Sequence, residues 1–156
     1  MAAGKAPDFE LRRMRSSDLP QVMAIERQSF SNPWSEATFR GEIQNTGISF
    51  PLVAYVPETG MILGYVIYWL VGDEVQINNV AVHPDSRRRG VGERMLKAVL
   101  DDARERGGAF AVLEVRMSNA PARALYEKKF GFTALGVREG YYTNPGEDAL
   151  VLGRAL

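Results

Sequence analysis

Three groups of residues in the 156-residue sequence have types and spacings that could do chemistry, and the first is Arg87-Arg88-Arg89-Gly90-Val91-Gly92. Glycine lets the backbone approach a ligand closely, the free N–H groups of a helix start attract phosphate, and arginine neutralises it. The stretch matches neither the Rossmann nor the P-loop glycine pattern, which argues against a nucleoside triphosphate. The alternative interpretation is a solvated, arginine-rich turn.

The second group is a single carboxylate, Glu114, inside the apolar run 109–115. By strand alternation it shares a face with the residues two and four positions earlier, so it stands where an aliphatic side chain would cost less to enclose. An enclosed carboxylate suits a general base. The alternative is an ion pair with Arg116 or Arg138 at the sheet surface.

The third group is Asn119 with Tyr126, seven residues apart in a predicted helix. Residues at this spacing fall on one helix face, so both point towards the region that the end of the Glu114 strand approaches. A phenol in such a place can donate a proton. The alternative for Tyr126 is a core aromatic with its hydroxyl at the rim.

Other catalytic chemistries are excluded by composition. The sequence has no cysteine, so a disulfide framework, a thiolate nucleophile and a cysteine-based zinc site are impossible. Its one histidine, His83, precludes a two-histidine metal site. We therefore expect no metal, and we expect Asp, Glu, Tyr or Lys to carry any acid–base catalysis.

Charge and hydropathy also narrow the class of protein. Nineteen basic residues balance nineteen acidic ones, which argues against a nucleic-acid partner. The longest apolar run, 61–71, is far shorter than the roughly 20 residues that cross a bilayer, and residues 1–7 contain no apolar secretory segment. The expectation is one cytosolic domain over 1–156, without a membrane partner and with a monomer favoured.

In the segments that must position these residues, apolar side chains recur with a period of 2, typical of strands, or of 3.6, typical of helices. The order predicts an α/β protein with a single mixed sheet of about seven strands and about four helices, since hairpins supply antiparallel pairs and a right-handed crossover supplies a parallel one. Strands are predicted over 9–14, 49–56, 61–71, 74–82, 110–116, 132–137 and 149–156, and helices from the caps at 16–18 to about 30, over 35–47, 91–106 and 119–129.

Taken together, these stretches resemble the GNAT superfamily of acetyl-CoA-dependent N-acetyltransferases over about residues 9–152. The glycine loop at 87–92 matches the superfamily signature Q/R-x-x-G-x-G/A, although Gln-Arg-Gln is a more familiar start than this arginine run. The other matching stretches are 80–82, 113–119 and 124–132. Residues 29–35, Tyr141-Tyr142 and 147–149 resemble the RimI branch, which acetylates the N-terminal alanine of a small-subunit ribosomal protein.

The resemblance implies a fold in which two central strands splay apart and hold CoA in the gap. It implies that the acetyl group passes directly from acetyl-CoA to the amine, with Glu114 as the general base and Tyr126 as the general acid. The residues that it assigns to acetyl-CoA are Val80, Ala81, Val82, Arg87, Arg88, Arg89, Gly90, Val91, Gly92, Glu93 and Asn119. The residues that it places around the acceptor are Pro33, Trp34, Tyr141 and Tyr142, with Glu26 or Asp148 available to a basic side chain that follows the terminal residue.

Three functions remain open on this resemblance. The first is acetylation of a protein N-terminus with acetyl-CoA as cosubstrate. The second is acetylation of a small-molecule amine by an enzyme of the same fold. The third is a CoA-binding module without turnover, against which the presence of both Glu114 and Tyr126 argues. Trp34 also has a purely structural alternative, a hydrophobic staple between the first two helices.

Overall fold

Seven strands and four α-helices make up residues 4 and 6–156, the part of the chain that the computed structural model describes. The strands are β1 (Glu10–Arg13), β2 (Ser49–Tyr55), β3 (Ile62–Val71), β4 (Glu74–Val82), β5 (Phe110–Arg116), β6 (Thr133–Tyr142) and β7 (Glu147–Ala155). The helices are α1 (Leu19–Ser29), α2 (Glu36–Gln44), α3 (Val91–Glu105) and α4 (Ala120–Ala124), and a π-helical turn, Leu125–Lys129, continues α4.

All seven strands belong to one sheet, in the order β1-β2-β3-β4-β5-β7-β6. The β4 and β5 strands run parallel, while the other neighbouring pairs are antiparallel. This arrangement confirms the predicted mixed sheet and α/β class.

The helices cover the two faces of the sheet. Tyr65 and Ile67 of β3 pack with apolar residues of α1 and α2. Val66 and Tyr68, which alternate with them, pack with α3 and with Tyr126. Because successive strand residues point to opposite faces, α1 and α2 lie on one side of the sheet and α3 and the α4 segment on the other.

The strand pair β4–β5 opens at one end, as expected. Its parallel register covers only Glu74 to Ile77 of β4 and Phe110 to Leu113 of β5. Immediately beyond, Asn78 is a bulge, since Ile77 pairs with Tyr68 and Asn79 with Ile67. A bulge bends its strand and shifts the alternation of the side chains, so β4 turns away from β5 at this point.

Two elements differ from their predicted bounds by five residues at their C-terminal ends. The predicted strand 132–137 extends to Tyr142, because residues 138–142 continue to pair with β7 across an irregular register. Nearly all of β6 is exposed on both faces, which leaves no alternation for a sequence pattern to detect. The predicted helix 119–129 is α-helical only to Ala124 and then widens to the π turn that carries Tyr126.

Residues 4 and 6–156 lack two kinds of feature. No helix there has the length and apolar composition that a bilayer crossing needs. In the same residues, no three His, Asp or Glu side chains are grouped in a way that would hold a metal ion.

Candidate active site

A cavity of about 620 Å³ occupies the opening between β4 and β5. It is bounded by the connection between α1 and α2, by the diverging strands, by the start of α4 and by the end of β6. The predicted site residues that line it are Val80, Glu114, Asn119, Tyr126, Trp34, Tyr141 and Tyr142. The structure thus brings both predicted catalytic residues and three of the four predicted acceptor residues to one cavity.

The edge of β4 facing this cavity has main-chain groups without a strand partner. The His83 N–H donates to the Leu63 carbonyl of β3 at 2.7 Å. Because main-chain groups alternate along a strand, the N–H and C=O groups of Val80 and Val82 face the other way, towards the gap left by β5. An extended ligand with amide groups, such as a pantetheine arm, fits such an edge. The Ala81 side chain is buried in the core between the sheet and the α1 and α2 helices, so Ala81 can contribute to the edge only through its backbone.

The predicted phosphate loop lies at the start of α3, outside the lining of the cavity. Gly90 caps the helix with a φ of 80°, and Arg88 has a φ of 61°. Arg94 makes a helical backbone bond to Gly90, and the preceding amides of 91–93 belong to the helix start, where N–H groups have no intrahelical acceptor. Three such amides at the positive end of a 15-residue helix suit a pyrophosphate.

The Arg87 side chain has partners within the protein. Its Nε atom donates to the Val82 carbonyl at 3.0 Å, and its terminal nitrogen lies 3.1 Å from the Ser29 hydroxyl oxygen of α1. Arg87 therefore joins the phosphate loop to the open edge of β4 and to the end of α1.

Glu114 and Tyr126 approach the cavity from opposite faces of the sheet. Leu113 and Val115 are buried in the same core as Tyr126, so the alternating Glu114 side chain points to the α1 side. Since the gap between β4 and β5 connects the two faces, both residues nevertheless line one cavity. The sequence pattern could not indicate this arrangement, because it does not show that the strands part.

The Glu114 carboxylate is partly accessible, with 27% of its side chain exposed. Its Oε1 atom lies 3.5 Å from Nε of Arg138, whose side chain is 59% exposed. The predicted ion-pair alternative is thus present with Arg138, whereas Arg116 pairs with Glu147. An exposed pair of this length contributes little free energy and leaves the carboxylate able to accept a proton from a ligand.

Tyr126 combines a buried ring with a place in the cavity wall. The residue is 8% exposed, and its ring stands edge-on to Phe132 at a centroid distance of 5.8 Å. The pKa of Tyr126 is raised to about 12, mainly because the phenol is buried and to a lesser extent because Tyr142 lies nearby. Its hydroxyl forms no hydrogen bond to the described residues, and it is not enclosed, because no buried polar side-chain atom among those residues lacks a partner. The phenol is therefore protonated at neutral pH and unengaged on the cavity side.

Asn119 is the N-cap of α4. Its Oδ1 atom accepts a hydrogen bond from the Ala122 N–H at 3.2 Å. This leaves the amide nitrogen as the part of the side chain that can reach a ligand in the cavity.

Trp34 has the geometry of its structural interpretation and also lies at the cavity. It precedes Ser35, the N-cap of α2, and packs against Phe39 with a ring-centroid distance of 5.3 Å, which is the geometry of a hydrophobic staple. It also lines the cavity, as does Asn32. Pro33, between them, is not among the lining residues.

A buried carboxylate, Glu26, lies at the base of this wall, in a role that the sequence did not indicate. Its Oε1 atom accepts from the Tyr65 hydroxyl at 2.5 Å and from the Asn79 amide at 2.9 Å. Its Oε2 atom accepts from the backbone N–H of Trp34 at 2.8 Å. Glu26 thus ties the α1–α2 connection to β4 just after its bulge, and it also lines the cavity.

Replacing Glu26 with glutamine is expected to lower the free energy of unfolding by about 1–3 kcal/mol, because an amide NH₂ would replace an oxygen that now accepts from a buried donor. Thermal unfolding measures this loss. The matched control is Glu36→Gln on α2, whose carboxylate forms an exposed pair with Arg40. Equal melting temperatures for the two variants would contradict the structural role of Glu26.

Tyr141 and Tyr142 form another wall of the cavity. Their rings meet edge-to-face at 5.0 Å, and Tyr141 is 48% exposed while Tyr142 is partly buried. The other predicted acceptor contact, Asp148, accepts a hydrogen bond from the Gly140 N–H at 2.8 Å. That bond holds the irregular stretch of β6 that turns the two tyrosines towards the cavity.

Comparison with known families agrees with this geometry. The model of the acetyltransferase (GNAT) family matches residues 19–132. A protein from Escherichia coli strain K12, named [ribosomal protein bS18]-alanine N-acetyltransferase, is 37% identical over 141 residues, which are 89% of this chain and 92% of that protein.

Comparison with solved structures also finds close structural similarity. The crystal structure of the ribosomal-protein-S18-alanine N-acetyltransferase from Escherichia coli has a TM-score of 0.85 and 33% identity, covering 95% of this chain and 94% of that one. The structure of Ard1 from Thermoplasma volcanium has a TM-score of 0.84 and 25% identity, covering 95% and 97%.

Proposed function

The chain belongs to the acetyltransferase (GNAT) family, and from that membership we propose that it transfers the acetyl group of acetyl-CoA to the N-terminal α-amino group of a protein. The observation that carries the proposal is the open edge of β4, with Glu114 and Tyr126 on either side of one cavity. A thioester held along that edge lies between a group that can take a proton and a group that can give one.

We assign the cofactor to the residues that face the opening. The main-chain groups of Val80 and Val82 pair with the amides of the pantetheine arm, and the amides of 88–93 receive the pyrophosphate. Arg87 and the arm can both donate a hydrogen bond to the Val82 carbonyl, since a carbonyl oxygen has two lone pairs. Asn119 contacts the arm through its amide nitrogen.

Two proton transfers fall to this chain. Acetyl-CoA supplies an activated acetyl thioester, but a protonated amine has no lone pair with which to attack it. The Glu114 carboxylate takes the proton from the α-amino group, whose reference pKa is about 7.7–8.0. The Tyr126 hydroxyl gives its proton to the departing thiolate sulfur, and burial keeps that hydroxyl protonated until it is needed.

The acceptor is proposed to be the N-terminal alanine of a small-subunit ribosomal protein. The Escherichia coli relatives are named as acetylating the alanine of ribosomal protein S18, and the present chain aligns with them over most of its length. The aromatic walls formed by Trp34 and by Tyr141 with Tyr142 suit a small first side chain. A ribosomal acceptor places the reaction in the cytoplasm.

A panel of acceptors tests this assignment. Mass spectrometry is expected to find one acetyl group on the N-terminus of an alanine-initiated peptide that copies the start of the ribosomal protein, and none on spermidine or an aminoglycoside. The same peptide with a blocked N-terminus and a free lysine is the control, because a lysine side chain is a different amine. Turnover of the small amines without turnover of the peptide would replace this function with the small-molecule alternative.

A further inference from the structure

We propose that Arg116, the last residue of β5, is a positioning residue that holds the acceptor wall, formed by Tyr141 and Tyr142, at a fixed place relative to Glu114. This inference rests on the proposed function, since it concerns the acceptor side of the same cavity. Arg116 lies two residues after Glu114 on the same strand and itself lines the cavity.

The guanidinium of Arg116 binds the turn between β6 and β7 through several contacts. One terminal nitrogen donates to the Pro145 carbonyl at 3.0 Å and lies 3.4 Å from the Glu147 carboxylate. The other donates to the Thr143 carbonyl at 3.0 Å. The guanidinium carbon also lies 4.5 Å from the centre of the Tyr142 ring. These contacts fix both sides of the turn and the aromatic ring that leads into it.

The partner carboxylate extends this clamp to the cofactor side. The second oxygen of Glu147 accepts from the Ser118 N–H at 2.6 Å, directly before Asn119. Arg116 and Glu147 therefore link three parts of the site: the strand that carries Glu114, the start of α4 and the turn after Tyr142.

The turn has a second attachment at Thr143, which is weaker because it is exposed. The Asn32 amide donates to the carbonyl and hydroxyl oxygens of Thr143 at 3.0 and 2.9 Å, and these groups are exposed. The turn thus spans the cavity from β5 to the α1–α2 connection, with its charged and partly buried anchor at Arg116. Because β6 is exposed along nearly its whole length, packing contributes little to holding Tyr141 and Tyr142.

Arginine suits this place better than lysine. Its planar guanidinium presents donors in a fixed fork, so it can bind two carbonyls on different sides of a turn while stacking on a ring. A lysine ammonium can reach one of these carbonyls but cannot bridge them and stack together. Arg116→Lys should therefore preserve part of the positioning that Arg116→Ala removes.

Steady-state kinetics on the full chain tests the proposal. We expect Arg116→Ala to raise the KM for the alanine-initiated peptide about tenfold, since charge-assisted hydrogen bonds to the acceptor wall are lost. The KM for acetyl-CoA should stay unchanged within about twofold, because Glu147 still accepts from the Ser118 N–H beside Asn119. Arg116→Lys should give an intermediate peptide KM. The matched control is Arg154→Ala, because Arg154 also donates to a main-chain carbonyl, that of Phe130, but lies away from the turn.

Hydrogen exchange supplies a readout that does not depend on turnover. Amide exchange over 141–147 is expected to accelerate in Arg116→Ala and to stay unchanged in Arg154→Ala. An unchanged exchange pattern, or an equal rise in the KM for peptide and for acetyl-CoA, would overturn the positioning role. Failure of the unmodified protein to acetylate the peptide would instead count against the proposed function, while exchange would still decide the role of Arg116.

Discussion

Glu114→Gln is expected to lower kcat/KM for the acceptor peptide at pH 7 by about 10²–10⁴-fold, the usual contribution of a general base. Glutamine preserves the shape of the side chain but cannot take a proton. Because the Glu114 side chain is partly accessible and its contact with Arg138 is exposed, the substitution should leave the free energy of unfolding nearly unchanged.

The pH dependence of this variant adds a second, independent expectation. Without a base, the reaction depends on amine that has already lost its proton in solution, and that fraction rises about tenfold per pH unit below the reference pKa of about 7.7–8.0. The deficit relative to the unmodified protein should therefore be greatest near pH 6 and become smaller towards pH 9.

Two measurements distinguish loss of the general base from weaker CoA binding and from a general effect of replacing a glutamate. The Kd for CoA, measured by calorimetry, should be the same in Glu114→Gln and in the unmodified protein. Glu74→Gln is the matched control, because Glu74 lies at the closed end of the β4–β5 pair. Turnover within about twofold of the unmodified enzyme would remove Glu114 from the mechanism. Intact CoA binding with no turnover in the unmodified protein would favour the non-catalytic alternative.

Much of the framework that carries this chemistry is predictable from local patterns. The predicted bounds of β4 and β5 agree with the structure, because each strand is a run rich in valine and other apolar residues that follows a glycine-containing turn. The α3 helix begins at the predicted Val91, since a glycine with positive φ precedes an apolar face of period 3.6.

The interior of the site depends on features without a local pattern. The bulge at Asn78 lies within a polar doublet, Asn78-Asn79, and neither residue type indicates which of the two is the inserted one. That choice turns Asn79 towards Glu26. Without knowledge of the bulge, the sequence indicates a surface carboxylate at Glu26. The hydrogen bonds that Glu26 accepts from Tyr65, Asn79 and the Trp34 backbone cannot be predicted.

Contacts that are distant in sequence account for the remaining differences. Asn32 and Thr143 are 111 residues apart, and Arg116 and Pro145 are 29 apart. Periodicity specifies which face of an element is apolar, but it does not specify which exposed turns meet across a cavity. The anchor of the acceptor wall is therefore a property of the folded chain that only coordinates reveal.

Tyr126→Phe is expected to lower kcat by about 10²–10⁴-fold while the KM values for peptide and acetyl-CoA change little, because the hydroxyl acts only when the thiolate departs. The ring contact with Phe132 is retained in phenylalanine, and the hydroxyl that is removed has no hydrogen-bond partner among the described residues. The melting temperature should therefore stay at that of the unmodified protein.

Burial determines how this residue responds to pH. A pKa raised to about 12 means that the neutral phenol, the form that can donate, persists at every pH well below 12. The kcat of the unmodified enzyme should consequently show no alkaline decline from Tyr126 between pH 8 and about pH 10, where an ordinary tyrosine with a pKa near 10 would already be half ionised. Tyr55→Phe is the control for removing a hydroxyl, since Tyr55 lies on β2 and bonds to Glu10. A kcat in Tyr126→Phe equal to that of Tyr55→Phe would show that the thiolate obtains its proton from another source.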